Sequence, residues 1–189
     1  MITDLNRQLL EHYEKFPLFG IILFTEAHPH VVKALKDTDY YAALNEVSGE
    51  QVVVFATMLF RGEYDYPSPP PDSFALMHPI WKEPKENKQV LSWFDIKDSR
   101  DLPLFVLFGV DDNELHYQRY PLKSASPQDV FNSLQEVLSA VSIRTQQNEN
   151  TDRKTVFKTA QWEIKKLQVK QKLMDILGAI SLFRGVAGM

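Results

Sequence analysis

Two histidines lie on either side of a proline, just after the first strongly apolar stretch of the chain. They are His28 and His30, with Pro29 between them and Glu26 two residues before His28. Imidazole nitrogens and carboxylate oxygens are common ligands of transition metals, and helix N-termini attract anions. A metal or anion site here needs more convergent groups, for which His78 is a candidate. The alternative interpretation is a pair of surface histidines without a ligand.

The acidic clusters favour structural roles over chemistry. Asp111 and Asp112 lack the alternating spacing and central glycine of a calcium loop and are explained by turn formation. Asp95, Asp98 and Asp101 are expected to be solvated, helix-capping side chains. We therefore predict no catalytic residues and no metal ligands among the carboxylates.

The chain of 189 residues contains no cysteine. Disulfides, thiolate catalysis, iron–sulfur clusters and cysteine-based zinc sites are therefore excluded. The first residues are charged where a signal peptide would be apolar. These observations predict a cytoplasmic protein, and no motif indicates a cofactor.

Charge is distributed unevenly along the chain. Residues 144–189 carry nine basic and four acidic side chains, a net charge of +5. Residues 1–143 carry twelve basic and 21 acidic side chains, a net charge of -9. Such asymmetry indicates association with a partner. Nucleic acid is not expected to be that partner, because the whole chain is acidic and the tail lacks dense arginines and interleaved aromatics.

The periodicity of apolar residues predicts an α/β domain over residues 1–143. Continuous apolar runs at 18–24, 51–59 and 104–108 are typical of strands buried on both faces, and 115–122 alternates like a half-buried strand. A first helix is expected before Pro17, and a short helix at 89–96. A helix over 29–47 would place Val31, Leu35, Thr38 and Ala42 inward. Ser126 and Pro127 predict a helix start, and the inward stripe of that helix is Val130, Leu134, Val137 and Val141.

Residues 60–88 form a proline-rich segment that holds six of the eleven prolines of the chain. Nearly thirty residues without clear periodicity are long for a compact domain, which predicts an insertion. One interpretation is a polyproline II segment at 64–71 offered to a partner. The other is a loop packed on its own domain.

Residues 144–150 are predicted to be a linker, and residues 151–189 a basic amphipathic helix. Phe157, Ala160, Ile164 and Leu167 follow one apolar seam, whereas Val169 begins a shifted one. The helix is expected to pack on its own body, pair with a second copy, or bind an anionic membrane or a partner groove, with the first two favoured. The interface candidates are Trp162, Leu173, Ile176, Ile180 and Phe183.

The order of these elements resembles the thioredoxin-like fold. The segment from Leu102 and Pro103 is similar to the family's cis-proline strand, and residues 27–30 stand where thioredoxins carry Cys-Gly-Pro-Cys. The resemblance implies a sheet with flanking helices, to which the proline-rich insertion and long C-terminal helix are added. It also implies a cis Pro103 and a scaffold without thiol–disulfide exchange. The implied binding groove comprises Ala27, His28, Pro29, His30, Leu102 and Pro103.

The sequence thus predicts a non-catalytic, cytoplasmic protein-interaction or assembly module that forms homo-oligomers through its C-terminal helix. A metal- or anion-dependent enzyme centred on His28 and His30 is one alternative. Peripheral attachment to a membrane through the C-terminal helix is the other.

Overall fold

A computed structural model of the chain describes residues 12, 15–49, 52–65, 80–111, 114–146 and 152–186. Residues 80, 144–146 and 175–186 are described by their backbone alone. The predicted first helix lies almost entirely outside the described residues, as do the proline cluster and His78.

One mixed sheet lies at the centre of the described chain, with strand order β2-β1-β5-β6. Strand β1 pairs parallel with β2 and antiparallel with β5, and β6 pairs antiparallel with β5. Helices flank the sheet, so the predicted α/β class is confirmed. These strands are β1 (Leu18–Thr25), β2 (Val52–Leu59), β5 (Leu104–Asp111) and β6 (Glu114–Pro121).

The central strands are buried as their apolar sequences predict. Every residue of β1 is buried, and so are the first six residues of β5. Strand β2 is different, because Ala56 and Met58 are exposed. The prediction that β2 is buried on both faces was wrong, since β2 lies at the edge of the sheet. Local composition does not encode this position.

Two helices replace the single helix predicted after β1. They are α1 (Pro29–Lys36) and α2 (Thr38–Ser48). Asp37 separates them in extended conformation, and its side chain accepts hydrogen bonds from the backbone N–H groups of Asp39 and Tyr40. This N-cap ends one helix and starts a second one. Thr38 and Ala42 are consequently exposed and not inward-facing as predicted.

A short hairpin and a helix occupy the described parts of the proline-rich segment and the residues after it. Strand β3 (Glu63–Asp65) pairs antiparallel with β4 (Ile80–Lys82). Helix α3 (Lys85–Trp93) follows and starts four residues earlier than predicted. A short 3-10 helix (Ser99–Asp101) then leads into the Leu102–Pro103 peptide bond, which is cis.

Helix α4 (Pro127–Gln146) confirms the capping prediction. The backbone N–H of Asp129 donates to the Ser126 hydroxyl, which in turn donates to the Asp129 carboxylate. The inward stripe is fully buried as predicted. The helix continues into the first three residues of the predicted linker. Its buried residues are Val130, Leu134, Val137 and Val141.

Helix α5 (Arg153–Val186) is the longest element of the chain. Its first half closes the core on one face of the sheet, together with α1, α2 and α4. Apolar side chains of α3 and of the segment that follows it cover the opposite face. The sheet is thus sandwiched between helices, and the β1–α1 turn lies at the end of its central strand.

Candidate functional site

The turn between β1 and α1 is held by the side chain of His28. The backbone N–H of Thr25 donates to His28 Nδ1 over 3.1 Å, and the Thr25 hydroxyl lies 3.1 Å from the same nitrogen. His28 Nε2 lies 3.1 Å from the Leu102 carbonyl oxygen. A backbone N–H can only donate and a carbonyl can only accept, so these contacts assign the ring proton to Nε2.

Both ring nitrogens of His28 are therefore used inside the protein. A metal ligand needs a free lone pair on a ring nitrogen, and a general base needs the same. Nδ1 has such a lone pair, but it accepts from the Thr25 backbone. In this arrangement His28 ties the turn to the loop before β5 and positions both.

The predicted groove residues fall into two groups. Ala27, His28 and Leu102 line a common cleft. The other three predicted residues do not line it: Pro29 is exposed, His30 is half-buried at the start of α1, and Pro103 is buried.

The backbone groups of the Leu102–Pro103 loop have partners within the chain. The Leu102 carbonyl meets His28 Nε2, and the Leu102 N–H donates to the Ser99 carbonyl over 3.4 Å. The Pro103 carbonyl accepts from the Leu122 N–H over 3.1 Å. A partner strand that paired with this loop would have to compete with these bonds.

The cleft beside the turn has a volume of about 700 Å³. The β3–β4 hairpin forms one wall of it, and the 3-10 helix forms another. Two arginines, Arg61 and Arg100, stand among its lining residues, with Tyr64 and Trp81 from the hairpin.

Arg100 is fixed in place by its neighbours. Its Nε and Nη2 donate to the two carboxylate oxygens of Asp98 over 2.9 and 2.6 Å, and its guanidinium lies 5.2 Å from the centre of the Trp81 ring. The Asp98 hydrogen bonds raise the pKa of Arg100, with a further contribution from Tyr64. The same Arg100 hydrogen bonds lower the pKa of Asp98 despite its burial. Asp98 is thus a buried partner of Arg100, and the prediction of a solvated side chain was wrong.

Glu83 connects the hairpin, α3 and the 3-10 helix. Its Oε2 accepts from the Trp81 indole N–H over 3.0 Å, and from the Ser99 N–H and hydroxyl over 2.8 and 2.9 Å. Its Oε1 accepts from the Asn87 amide over 2.6 Å. Burial opposes the charge of Glu83, but these four hydrogen bonds outweigh it and lower the pKa of this carboxyl.

Asn87 is fully buried and extends this network to the end of β2. Its amide nitrogen donates to the Phe60 carbonyl over 2.8 Å, and its amide oxygen accepts from the Phe60 N–H over 3.0 Å. A buried polar side chain is stable only when its hydrogen bonds are satisfied, as here. Most polar groups around the cleft therefore serve to hold its walls.

The first apolar seam of α5 packs on the body, which is one of the alternatives that the sequence left open. Phe157, Ala160 and Ile164 are buried, and Leu167 packs against the same cluster. Polar contacts add to this packing, since Gln168 Nε2 donates to the Arg119 carbonyl over 2.6 Å.

A second apolar surface on α5 is exposed, and we call it the tail face. It consists of Trp162, Val169, Leu173 and Met174, and the exposed fractions of Trp162 and Leu173 are 60% and 55%. Three lysines adjoin it: Lys165, Lys166 and Lys170. The side chains of the other interface candidates lie outside the described part of the chain: Ile176, Ile180 and Phe183.

Two properties of the described residues bear on the metal-site and membrane alternatives. They contain no group of three or more His, Cys, Asp or Glu side chains arranged to hold a metal ion. None of their helices is both long and apolar enough to cross a membrane.

Sequence reasoning located the turn and the tail face but not the hydrogen-bond network beneath the cleft. Glu83, Asn87 and Ser99 belong to different elements and carry no motif that relates them. The one local signal is that Glu83 precedes its partner Asn87, in the first turn of α3, by four residues.

Comparison of the chain with protein-family models, with curated proteins and with solved structures gives no match.

Proposed function

We propose that this chain is a non-catalytic protein-interaction and assembly module built on a redox-inactive, thioredoxin-like scaffold. Support for the scaffold comes from the strand order β2-β1-β5-β6, in which the parallel pair is followed by an antiparallel hairpin. A helix follows β1 and another follows β6, which is the order of elements that the resemblance requires. The proline-rich segment and α5 are the additions to this scaffold.

The absence of cysteine supports a role without thiol chemistry, because exchange reactions require a thiolate. At the turn that resembles the redox site, His28 is engaged on both ring nitrogens. Arg100, one of the two arginines that line the cleft, is bound to Asp98. These side chains build and brace the turn, which favours binding over catalysis.

The tail face is the single observation that carries the proposal. A helix that only completes its own core buries one stripe and exposes polar residues elsewhere. Helix α5 buries one apolar seam and exposes a second one. Exposed contiguous apolar patches of this kind mark interaction surfaces.

The occupant that we propose for the tail face is a second copy of the chain. Seven positions of α5 follow the alternating four- and three-residue spacing of a coiled-coil seam, and all but Lys166 are apolar: Trp162, Lys166, Val169, Leu173, Ile176, Ile180 and Phe183. Repulsion between the lysines of two paired tail faces is limited, since Lys166 and Lys170 form ion pairs with Glu163 and Glu136 of their own chain.

Size-exclusion chromatography with light scattering on the full chain tests this proposal. We expect a mass greater than the 21.9 kDa of one chain. Replacing Leu173 by Gln removes an apolar contact from the tail face and should lower this mass. The matched control is Lys172→Gln, an exposed neighbour outside the face, which should leave the mass unchanged. Equal masses for both variants and the unmodified chain would contradict the proposal.

Attachment to an anionic membrane surface is the second candidate, and the three lysines beside the tail face favour it. Co-sedimentation of the full chain with phosphatidylserine–phosphatidylcholine vesicles at low salt distinguishes membrane attachment from pairing with a second copy. Pelleting that Trp162→Ala abolishes would assign the tail face to the membrane. A chain that stays in the supernatant while forming oligomers supports the second copy.

A further inference from the structure

Strand β2 is an edge strand with one neighbour in the described part of the chain. It pairs with β1 along all eight of its residues. Its outer backbone N–H and C=O groups have no strand partner among the described residues. Such an edge is a template for pairing with another strand.

The two edges of the sheet are protected very differently. Strand β6, at the other edge, carries Glu114, Arg119 and Pro121, and the Gln168 side chain of α5 bonds to the Arg119 carbonyl. Charges, proline and a covering helix are the usual means by which proteins prevent pairing at an edge. Strand β2 reads VVVFATML and contains no charged residue and no proline.

Exposed apolar side chains lie at the C-terminal end of this edge, whereas Val53, Val54 and Phe55 are half-buried. Met58 is 47% exposed, and Phe60, just beyond the end of the strand, is 57% exposed. A groove of about 290 Å³ runs between β2 and α2, with Tyr41 and Leu44 on the helix side. An edge that is long, uncharged and apolar is stable in solution only when something covers it.

We propose that β2 pairs antiparallel with β2 of a second copy across a two-fold axis, which joins two sheets into one. The absence of charge supports a second copy as the occupant. When β2 pairs with β2 of another copy, each charged residue would lie close to a residue of the same charge, and the two would repel. Strand β2 has no such residues. With the axis at Phe55, the rings of the two copies are cross-strand neighbours, and Val52 lies opposite Met58 of the second copy.

This interface is independent of the tail face, because β2 and α5 belong to different parts of the structure. Each pairing across a two-fold axis would by itself produce a dimer. Both together link more than two copies, into a tetramer or an open chain.

Native mass spectrometry of four full-length proteins tests the edge and the tail face separately. The unmodified chain should contain more than two copies. Met58→Lys places a charge on the edge and should give a dimer, as should Leu173→Gln on the tail face. The combination should give a monomer. Ile143→Lys is the matched control, because Ile143 is 58% exposed on α4 and outside both surfaces. It should leave the assembly intact.

The outcomes distinguish failure of the edge from failure of the tail face. An unmodified dimer that Leu173→Gln dissociates and Met58→Lys leaves intact would overturn the edge pairing alone. An unmodified dimer with the opposite response would overturn the tail pairing alone. A monomer throughout would overturn both.

Hydrogen exchange on the unmodified chain tests the edge without a variant, which matters if Met58→Lys does not fold. Paired amides exchange slowly, so the peptide that covers residues 52–59 should exchange about tenfold more slowly at high than at low protein concentration. Exchange of β2 that is independent of concentration would overturn the pairing.

Discussion

At the scale of single residues, the molecule uses its most chemically suggestive side chains as structural links. His28 looks like a ligand or base in the sequence, but its two nitrogens join the β1–α1 turn to the Leu102 loop. Glu83 looks like an ordinary surface acid, but it collects four hydrogen bonds beneath the cleft. The sequence could not show this, because the partners of each lie on other elements.

Replacing His28 by Ala should destabilise the chain. It leaves the Thr25 N–H and the Leu102 carbonyl without their ring partner, and such losses cost about 1–3 kcal/mol of the free energy of unfolding. Urea denaturation measures this loss. His30→Ala is the control and should change the free energy by less than about 0.5 kcal/mol. A stable His28→Ala variant would show that the ring does not hold the turn.

Glu83 should make stability depend on pH in the acid range. Its pKa is below the ordinary 4.5 in the folded chain, so the ionised carboxylate stabilises the fold above the unfolded pKa. That contribution is lost as the pH falls through the lower, folded pKa. The Glu83→Gln variant lacks this contribution to stability even at pH 7.

The free energy of unfolding of Glu83→Gln should therefore be lower than that of the unmodified chain at pH 7. The difference in free energy of unfolding between the two proteins should narrow as the pH falls below about 4.5. Urea denaturation at several pH values measures the free energy of unfolding of both proteins. A gap that is constant from pH 7 to pH 3 would show that the charge of Glu83 is not what stabilises the network.

At the scale of elements, boundaries that local capping determines were predictable. The Ser126 cap located the start of α4 correctly. The Asp37 cap was equally present in the sequence, but the apolar stripe that runs across it concealed the break between α1 and α2. The position of β2 at the sheet edge was not predictable, because strand order depends on tertiary pairing.

Gly62 should be essential for the β3–β4 hairpin. A Cβ at this position would lie 2.7 Å from Trp81 Cε2 and 2.9 Å from the Lys82 carbonyl oxygen, so Gly62→Ala must displace the strand. We expect a loss of about 1–3 kcal/mol and altered tryptophan fluorescence. Gly109→Ala is the control, because its Cβ would meet Phe157 at an ordinary 3.6 Å. Equal stability of both variants would contradict the close packing of Trp81.

Replacement of a side chain by alanine should have different effects on stability in the two halves of α5. Ile164 is fully buried against the body, so Ile164→Ala should cost about 2–5 kcal/mol of the free energy of unfolding. Met174 is exposed on the tail face, and Met174→Ala should change the stability of the monomer by less than about 0.5 kcal/mol. Thermal or urea denaturation at low protein concentration measures the contrast. Similar losses would mean that the tail face packs on its own body.

At the scale of the whole molecule, two apolar surfaces have no cover among the residues that the structure describes, the tail face on α5 and the outer edge of β2. The sequence indicated the first through a shift in the apolar seam of the helix. It gave no sign of the second, because an edge strand and a central strand can share the same apolar composition. The net charge of the whole chain is -4, which disfavours association with nucleic acid.

Sedimentation velocity of the unmodified full chain over a concentration series shows whether copies of this chain assemble, as we propose. We expect a mass above that of one 21.9 kDa chain, which falls as the protein is diluted. A mass of one chain at every concentration would contradict it.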